Sequence, residues 1–342
     1  MIRRKTNDYS FARLPALVAI ALTIAGCSSA GRPMTTLAPK SDLATSIQSL
    51  FVEVTLWDSL VLAIVVVAFI LAVFVFSTRV GEAAPPATAS SDLGLEIAWT
   101  LGPALILLMI TIPTVRTIFR SQPAVAPAGA LEIKVVAHQW WWEFQYPDSV
   151  KTGNELHIPV NRPIRLNLES ADIIHSFWVP QLGGKRDIVP GQINELTFVA
   201  SVPGMYPGQC AEFCGLSHAN MRFRVFVDSP KDFAAWEKAQ LAGPAAPPTN
   251  DQLAADGAKI FAGSPCTTCH MVQGVSKGYV GPDLTHFGSR STLAAGVLKN
   301  TPDNVAKWIA DPQEIKPGAN MPALLLPGEK MTALVAYLES LK

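Results

Sequence analysis

The chain has 342 residues, 49% of them hydrophobic, and its 27 basic residues balance 27 acidic residues. This length allows two or three domains, and the even charge excludes an extended basic surface of the kind that binds nucleic acid. The apolar excess favours membrane segments over a single large soluble core.

Residues 1–26 have the layout of a bacterial export signal. Four basic residues precede the apolar stretch LPALVAIALTIA, which ends in the small residues of IAGC. IAGC resembles the lipobox of bacterial lipoproteins, in which the signal is cut before the cysteine and the thiol is lipidated. We therefore predict that Cys27 is the first mature residue and is lipidated. An ordinary signal peptide and an uncleaved anchor are the alternatives.

Two uncharged apolar runs predict a transmembrane hairpin within residues 50–120. The runs SLVLAIVVVAFILAVFVFST and IAWTLGPALILLMITIPTV are each long enough to cross about 30 Å of hydrocarbon as a helix. We place the helices at about 55–79 and 95–118, with a Pro/Ala/Ser connector between them. If Cys27 lies outside the cell, the connector is cytoplasmic and everything after Arg120 is outside.

Residues 130–230 have the pattern of a β domain. The segments LEIKVVAHQW, IRLNLES and FRVFVD alternate apolar and polar positions between Gly- and Pro-rich turns. Short strands at this spacing predict an all-β Greek-key sandwich or barrel. A helix and an Ala/Pro linker follow over residues 231–250, with Ser229 as the N-cap and Pro230 at the first helical position.

Residues 251–342 predict a separate all-α module that attaches haem. Three segments carry apolar residues at helical spacing. CTTCH places Cys266 and Cys269 one turn apart beside His270, the arrangement in which two thioethers hold haem and the histidine binds its iron. A redox dithiol would need a βαβ context, and a zinc site would need a second ligand pair. Neither pattern occurs here, so we predict covalent haem c.

The second axial ligand of this haem has three candidates, because neighbouring Met271 cannot reach the opposite haem face. Met331 lies on the apolar stripe of the last helix, which favours packing. His286 would give a bis-histidine iron. Met321 lies in KPGANMP, where Gly and Pro fix a loop and allow close approach of the backbone, and we favour it.

The segment QCAEFCGLSHANM predicts a metal site in the β domain. Cys210, Cys214 and His218 recur every fourth residue. Met221 follows three residues later, and His175 in DIIHSFWVP can join from another strand. A disulfide between the cysteines and a structural zinc are the alternatives. Zinc rarely takes a thioether, whereas thiolates, imidazoles and a weak thioether suit copper. Spacing alone leaves open whether these residues hold one copper or bridge two.

The strings ADIIHSFWVPQLGGKRDIVPGQ and PGMYPGQCAEFCGLSHANM resemble subunit II of the haem-copper cytochrome c oxidases, in the CuA domain. The likeness spans about residues 50–238. The last module, with GPDL and GANMP, resembles a class I cytochrome c, as in bacterial oxidases whose subunit II carries its own haem c. The implied fold is multidomain: a two-helix transmembrane hairpin, an all-β cupredoxin-like Greek-key sandwich, and an all-α class I cytochrome c domain.

This resemblance implies a binuclear CuA centre. Two coppers that share one electron through soft thiolates change geometry little on reduction, so the site would relay electrons and leave no open position for substrate. The carboxylate of Glu212 would also help to hold a magnesium ion at the contact with subunit I. The implied copper ligands are two bridging thiolates, one histidine for each copper, a weak thioether and a backbone carbonyl: Cys210 and Cys214, His175 and His218, Met221, and Glu212.

Two further segments gain roles from the resemblance. In HQWWWEFQYP, Trp140 or Trp141 would lie on the path by which electrons reach CuA. Packing in the sandwich and at the membrane interface is the alternative. In LEIAWTLGP, Glu96 would guard the entrance of a proton channel into subunit I. Its alternative explanation is that the helix dipole favours a carboxylate at a helix N-terminus.

The resulting hypothesis is the subunit through which electrons enter a proton-pumping terminal oxidase of the bacterial plasma membrane. Electrons would pass from an external cytochrome c or another donor through haem c and CuA to subunit I, where O2 is reduced to water. Subunit III is a further expected partner, and both redox domains would lie on the periplasmic side. The chain has no transmembrane histidine set for an O2-reducing site of its own.

Three rival functions remain at this stage. A nitric oxide reductase can use a closely similar CuA subunit. A free-standing lipoprotein electron carrier is the second, although Glu96 and the hairpin disfavour it because one lipid or helix would suffice as a tether. A quinol oxidase subunit is disfavoured, since that relative of the family lacks the copper ligands.

Overall fold

The structure, a computed structural model, describes residues 32–75, 92–121, 125–244 and 251–342. The predicted export signal with Cys27, most of the connector and part of the Ala/Pro linker lie outside the described residues. The described chain forms two long helices, a β-sandwich and a mostly helical C-terminal module. This is the predicted architecture.

Two apolar helices form the N-terminal part of the described chain, α1 at Asp42–Val75 and α2 at Leu93–Ser121. Both are long and apolar enough to cross a membrane, and none of the residues in their most apolar windows is buried. At 1.5 Å per residue α1 is about 51 Å long, well beyond about 30 Å of hydrocarbon. Part of α1 therefore extends outside the membrane.

Helix α1 begins thirteen residues before the predicted start near residue 55, because its first turns contact the β-sandwich. The Ser41 hydroxyl donates to the Leu182 carbonyl at 2.6 Å, and the Asp42 carboxylate accepts from the Val199 N–H at 2.7 Å. Leu43 is buried in the same contact. Hydropathy marks only the membrane part of a helix, so this extension was not predictable from it.

Ten strands form the sandwich. One sheet has the order β3-β2-β1-β5-β8 and the other β4-β10-β9-β6-β7, with parallel β1/β5 and β4/β10 pairs among antiparallel ones. These strands are β1 Leu131–His138, β2 Trp141–Gln145, β3 Lys151–Gly153, β4 Glu155–Pro159, β5 Pro163–Ser170, β6 His175–Trp178, β7 Arg186–Ile188, β8 Asn194–Val199, β9 Gly204–Cys210 and β10 Arg222–Asp228.

Aromatic rings fill the core between the two sheets. Trp142 is fully buried and meets Phe177 nearly edge to face, with ring centroids 5.7 Å apart. Phe223 packs against Trp142 at 5.1 Å. Such pairs add specific geometry to the burial of large apolar surfaces. This core holds β6 and β9 side by side, and these strands carry His175 and Cys210.

Helix α3, Pro230–Leu241, follows the sandwich and begins as predicted. The Ser229 hydroxyl caps it by accepting from the Asp232 N–H at 3.2 Å. Its Phe233 and Trp236 pack against the sandwich core.

The C-terminal module is built around two crossed helices and contains two short hairpins. Its helices are α4 Gln252–Ala262, α5 Cys266–Cys269, α6 Pro302–Ala310, α7 Pro312–Ile315 and α8 Gly328–Ser340, and its hairpins are β11 Met271–Val272 with β12 Ser276–Lys277 and β13 Thr292–Leu293 with β14 Leu298–Lys299. Helices α4 and α8 approach closely at Gly257, where an added Cβ would lie 1.9 Å from the Ala333 carbonyl oxygen. Only glycine fits this crossing.

Candidate metal centre and haem cavity

His175, Cys210 and Cys214 form a buried cluster whose donor atoms all lie within 4.8 Å of one another. Pairing of β6 with β9 brings His175 beside Cys210, although they are 35 residues apart in sequence. The two sulfur atoms are 3.8 Å apart, far beyond a disulfide bond of about 2.05 Å. Both thiols are therefore available as ligands.

The remaining predicted copper ligands surround the same two sulfur atoms. His218 Nδ1 is 3.5 Å and Met221 Sδ 3.8 Å from Cys214 Sγ. The Glu212 carbonyl oxygen is 3.2 Å from Cys210 Sγ. The structure thus brings together two thiols, two imidazoles, a thioether and a carbonyl. This largely soft donor set fits copper better than zinc.

The two thiols of the cluster share one proton. The hydrogen bond from Cys214 lowers the pKa of Cys210 to about 4, against the opposing effect of burial. The same contact raises the pKa of Cys214, because its ionisation would place a second negative charge beside the first. The lowered pKa of Cys210 favours its thiolate, which is the form that binds copper.

Asp172 orients His175 and was not identified from the sequence. Its carboxylate lies 2.7 Å from His175 Nε2, which leaves Nδ1 facing Cys210 Sγ at 3.8 Å. Burial lowers the pKa of His175, but the interactions with Asp172 and Cys210 together outweigh burial and the net pKa is raised. Carboxylates commonly orient metal-binding histidines in this way. The D-x-x-H spacing was the available signal.

The backbone carbonyl and the side-chain carboxylate of Glu212 lie in different environments. Its carbonyl faces the cluster, whereas its carboxylate is partly exposed and lies 3.7 Å from Lys185 Nζ. The carboxylate is therefore at the surface and is free of the copper ligands.

A cavity between the sandwich and the C-terminal module contains the predicted haem ligands in its wall. Cys266, Cys269 and His270 lie on one part of the wall. His270 Nδ1 donates to the Pro282 carbonyl at 2.8 Å, which leaves Nε2 available to bind iron. Burial lowers the pKa of His270 and keeps the imidazole neutral, the form that binds a metal. The residues present thus fit a covalently attached haem.

Of the three candidate axial ligands, the structure places Met321 in the cavity wall. His286 is buried outside that wall and faces the backbone of Ala239 and Gly243 near the end of α3. Met331 packs against the module core, as its helical stripe predicted.

The three successive tryptophans have different surroundings. Trp142 belongs to the sandwich core. Trp140 Nε1 donates to the Cys214 carbonyl at 2.7 Å, and Trp140 also lines the haem cavity. Trp141 lines the cavity too and stacks on His138 with centroids 4.2 Å apart. Trp140 is therefore in contact with both candidate sites.

Polar contacts join the two modules. Glu155 Oε1 accepts from the Ser291 N–H and hydroxyl at 2.9 and 2.5 Å, and from the Thr292 N–H and hydroxyl at 3.1 and 3.2 Å. Ser217, inside the metal loop, donates to the Pro317 carbonyl at 2.6 Å. Since Pro317 belongs to the KPGANMP loop, the metal loop and the Met321 loop are directly bonded.

Glu96 lies in the first turn of α2, at the end of the hairpin away from the sandwich. Asp92 accepts from the Gly94 N–H at 2.9 Å and caps this helix. The position agrees with both explanations of Glu96, the helix dipole and the proton-channel entrance.

The fold and the two sites define a class: a membrane-anchored protein that joins a cupredoxin-like domain to a cytochrome c module. Three family matches agree with it. Residues 38–117 match the transmembrane domain of cytochrome c oxidase subunit II, residues 149–227 match its periplasmic domain, and residues 254–342 match cytochrome c.

Two bacterial relatives cover nearly the whole chain. Cytochrome c oxidase subunit 2 of Bacillus sp. (strain PS3) is 35% identical to this chain. The alignment covers 94% of this chain and 95% of the relative. The same subunit of Bacillus subtilis (strain 168) is 35% identical, and the alignment covers 95% of this chain and 96% of the relative. The chain therefore belongs to the cytochrome c oxidase subunit II family.

A solved structure is also similar, that of the periplasmic domain of subunit II of cytochrome oxidase of Bradyrhizobium japonicum. It is 36% identical, covers 34% of this chain and 98% of that chain, and gives a TM-score of 0.33. Family membership makes the protein a membrane-anchored subunit of an oxidoreductase complex with subunit I. Its two family domains imply CuA copper and haem.

Proposed function

We propose that this chain is the subunit through which electrons enter a proton-pumping terminal oxidase. It accepts electrons from an external donor, cytochrome c or another carrier, at the cytochrome c module and passes them through the CuA module to subunit I, where O2 is reduced to water. When bound, the haem and the copper pair each take up and release one electron. The single observation that carries this proposal is that Trp140 touches both candidate sites.

The copper ligands in this proposal are those of the buried cluster. Each imidazole faces a different sulfur, His175 facing Cys210 and His218 facing Cys214, which supports two coppers. Burial of the sulfur atoms excludes water and substrate, as an electron relay requires. The residues that would hold the copper are Cys210 and Cys214 through their thiolates, His175 and His218 through Nδ1, Met221 through Sδ, and Glu212 through its carbonyl.

In the cytochrome c module, Cys266 and Cys269 hold the haem as thioethers. His270 Nε2 and Met321 Sδ would bind its iron, a role supported by the Pro282 hydrogen bond and by the place of Met321 in the cavity wall. Trp140 is favoured over Trp141 as the contact between the modules, because it also donates to the Cys214 carbonyl.

Contacts outside the redox sites complete the proposal. The surface carboxylate of Glu212 holds a magnesium ion shared with subunit I, and Glu96 guards the entrance of the proton channel. Cys27 is lipidated after export, and both redox modules face the periplasm of a bacterial plasma membrane. The exposed apolar faces of α1 and α2 are available to lipid, to subunit I and to subunit III.

The test is oxygen uptake against nitric oxide turnover by the purified complex. The proposal predicts uptake of O2 with a reduced donor and no comparable turnover of nitric oxide. Predominant nitric oxide turnover would assign the chain to a nitric oxide reductase. Purification of the chain without any polytopic partner would point to the free-standing carrier.

A further inference from the structure

Lys316 is a buried cation in the wall of the haem cavity. Its side chain is only 4% exposed, and its Nζ donates to the Trp140 carbonyl and lies 3.5 Å from the Ala294 carbonyl. Both partners are neutral. Among the described residues, Lys316 is a buried lysine and forms no ion pair with a carboxylate, whereas the four lysines that do form such pairs are not buried: Lys134, Lys151, Lys185 and Lys259.

A buried ammonium without an anion is unfavourable, because two carbonyl dipoles replace water poorly. Burial lowers the pKa of Lys316 to about 7, and only the Cys214 thiol opposes this effect. Arg290, a half-buried cation in the cavity wall, has Glu155 and Asp283 near it. Arg290 therefore has carboxylates near it in the cavity, whereas no described carboxylate forms an ion pair with Lys316.

We propose that Lys316 is the counter-ion of a haem propionate and holds that edge of the haem against the Trp140 segment of the sandwich. The inference rests on the proposed function, since it requires haem c in this cavity. A haem carries two propionates on the edge opposite the vinyl groups that become thioethers. Lys316 and Ala294 come from loops distinct from the CTTCH segment, so they can contact the propionate edge while Cys266 and Cys269 hold the other.

The same ammonium group links the two modules. Two protons of Nζ face the Trp140 and Ala294 carbonyls, and the third is available to a carboxylate, because an ammonium has three donors. Lys316 is thus a positioning residue: it touches the haem periphery and fixes where the cytochrome c module meets Trp140. A positive charge at this place also favours the reduced haem, since reduction lowers the positive charge of the iron.

The test uses the full complex and the haem c midpoint potential, with haem content measured by the pyridine haemochrome assay. Lys316→Met removes charge and hydrogen bond, Lys316→Gln keeps a donor for the Trp140 carbonyl, and Lys316→Arg keeps the charge. We expect the Met and Gln variants to lower the haem potential at full haem content, and the Arg variant to stay near the original value. Lys307→Met, an exposed lysine of α6, is the matched control and leaves the potential unchanged.

Two outcomes would overturn the inference. One is a Gln variant with full haem content and an unchanged haem potential. The other is a change confined to the CuA absorption spectrum, which would make Lys316 a neighbour of the copper site only. If the Met variant fails to assemble, the comparison of Gln with Arg decides the question. Absence of covalent haem from the unmodified protein would instead overturn the proposed function.

Discussion

At the scale of single residues, Cys214 is where the metal cluster meets the haem cavity. Its sulfur faces Cys210, His218 and Met221, while its carbonyl accepts from Trp140. Cys214→Ser exchanges a soft thiolate for a hydroxyl, which binds copper poorly. We expect the CuA signal in electron paramagnetic resonance to disappear while the haem c spectrum stays intact. Loss of the haem spectrum as well would contradict two independently formed modules.

Met321 offers a second prediction. Met321→Ala removes the thioether from the cavity wall, so the methionine–iron absorption band disappears and the haem potential falls. His286→Ala is the control and leaves both unchanged, since that side chain lies outside the wall. A changed haem spectrum and potential in His286→Ala, with both unchanged in Met321→Ala, would identify a bis-histidine haem.

Trp140 and Trp141 form a matched pair for a third prediction. Trp140→Phe removes the hydrogen bond to the Cys214 carbonyl, worth about 1 kcal/mol, and we expect slower electron transfer between the modules. Trp141→Phe keeps that bond and an aromatic ring, and is expected to have a smaller effect. Stopped-flow reduction of CuA measures both rates. Equal slowing in the two variants would remove the special role of Trp140.

The sequence predicted the candidate ligands because they lie in short strings with recognisable spacing. Their supporting residues were harder to find. Asp172 was three residues from His175 but gave only a weak signal, and Lys316 appeared as an ordinary charged residue of a loop. Its burial depends on contact with Trp140, which is 176 residues away in sequence.

At the scale of elements, Glu155 joins β4 of the sandwich to the segment that begins β13. One oxygen accepts all four hydrogen bonds from Ser291 and Thr292. Hydrogen bonds to a charged group contribute about 1.5–3 kcal/mol each, and those sharing one acceptor are not additive. Glu155 therefore stabilises the docking of the modules, a role that no local pattern in the sequence indicated.

We predict that Glu155→Ala weakens this docking by about 2–3 kcal/mol, because four partly buried hydrogen bonds at the module contact lose their common acceptor. Urea unfolding followed by haem absorbance would show an earlier transition. Glu195→Ala is the control: its pair with Arg165 is partly exposed and lies away from the module contact, so an effect of about 0–1 kcal/mol is expected. Similar losses in both variants would mean that Glu155 has no special role.

The sequence predicted helices and strands well where the spacing of apolar residues reflects which side chains are buried. The alternation of LEIKVVAH matches the buried Leu131, Ile133, Val135 and Ala137 of β1, and Ser229 caps α3 as expected. The start of α1 was predicted too late, because its first turns are fixed by contacts with residues far along the chain.

At the scale of the whole molecule, the start of α1 contacts the sandwich and α2 ends shortly before β1, so the start of α2 with Glu96 lies toward the other end of the hairpin. The pairing of the two redox modules depends on contacts between residues 100 or more positions apart. Such contacts depend on the tertiary fold, so no local spacing in the sequence predicts them.

The central claim is that electrons pass through the cytochrome c module before they reach the copper site. The most direct measurement is stopped-flow reduction of the complete complex by a reduced donor, with haem c and CuA followed at separate wavelengths. The comparison is with the Cys266→Ser/Cys269→Ser variant, which cannot attach haem. We expect haem c to be reduced before CuA in the unmodified protein, and CuA reduction to be lost or greatly slowed in the variant. Reduction of CuA at an unchanged rate in the variant would contradict it.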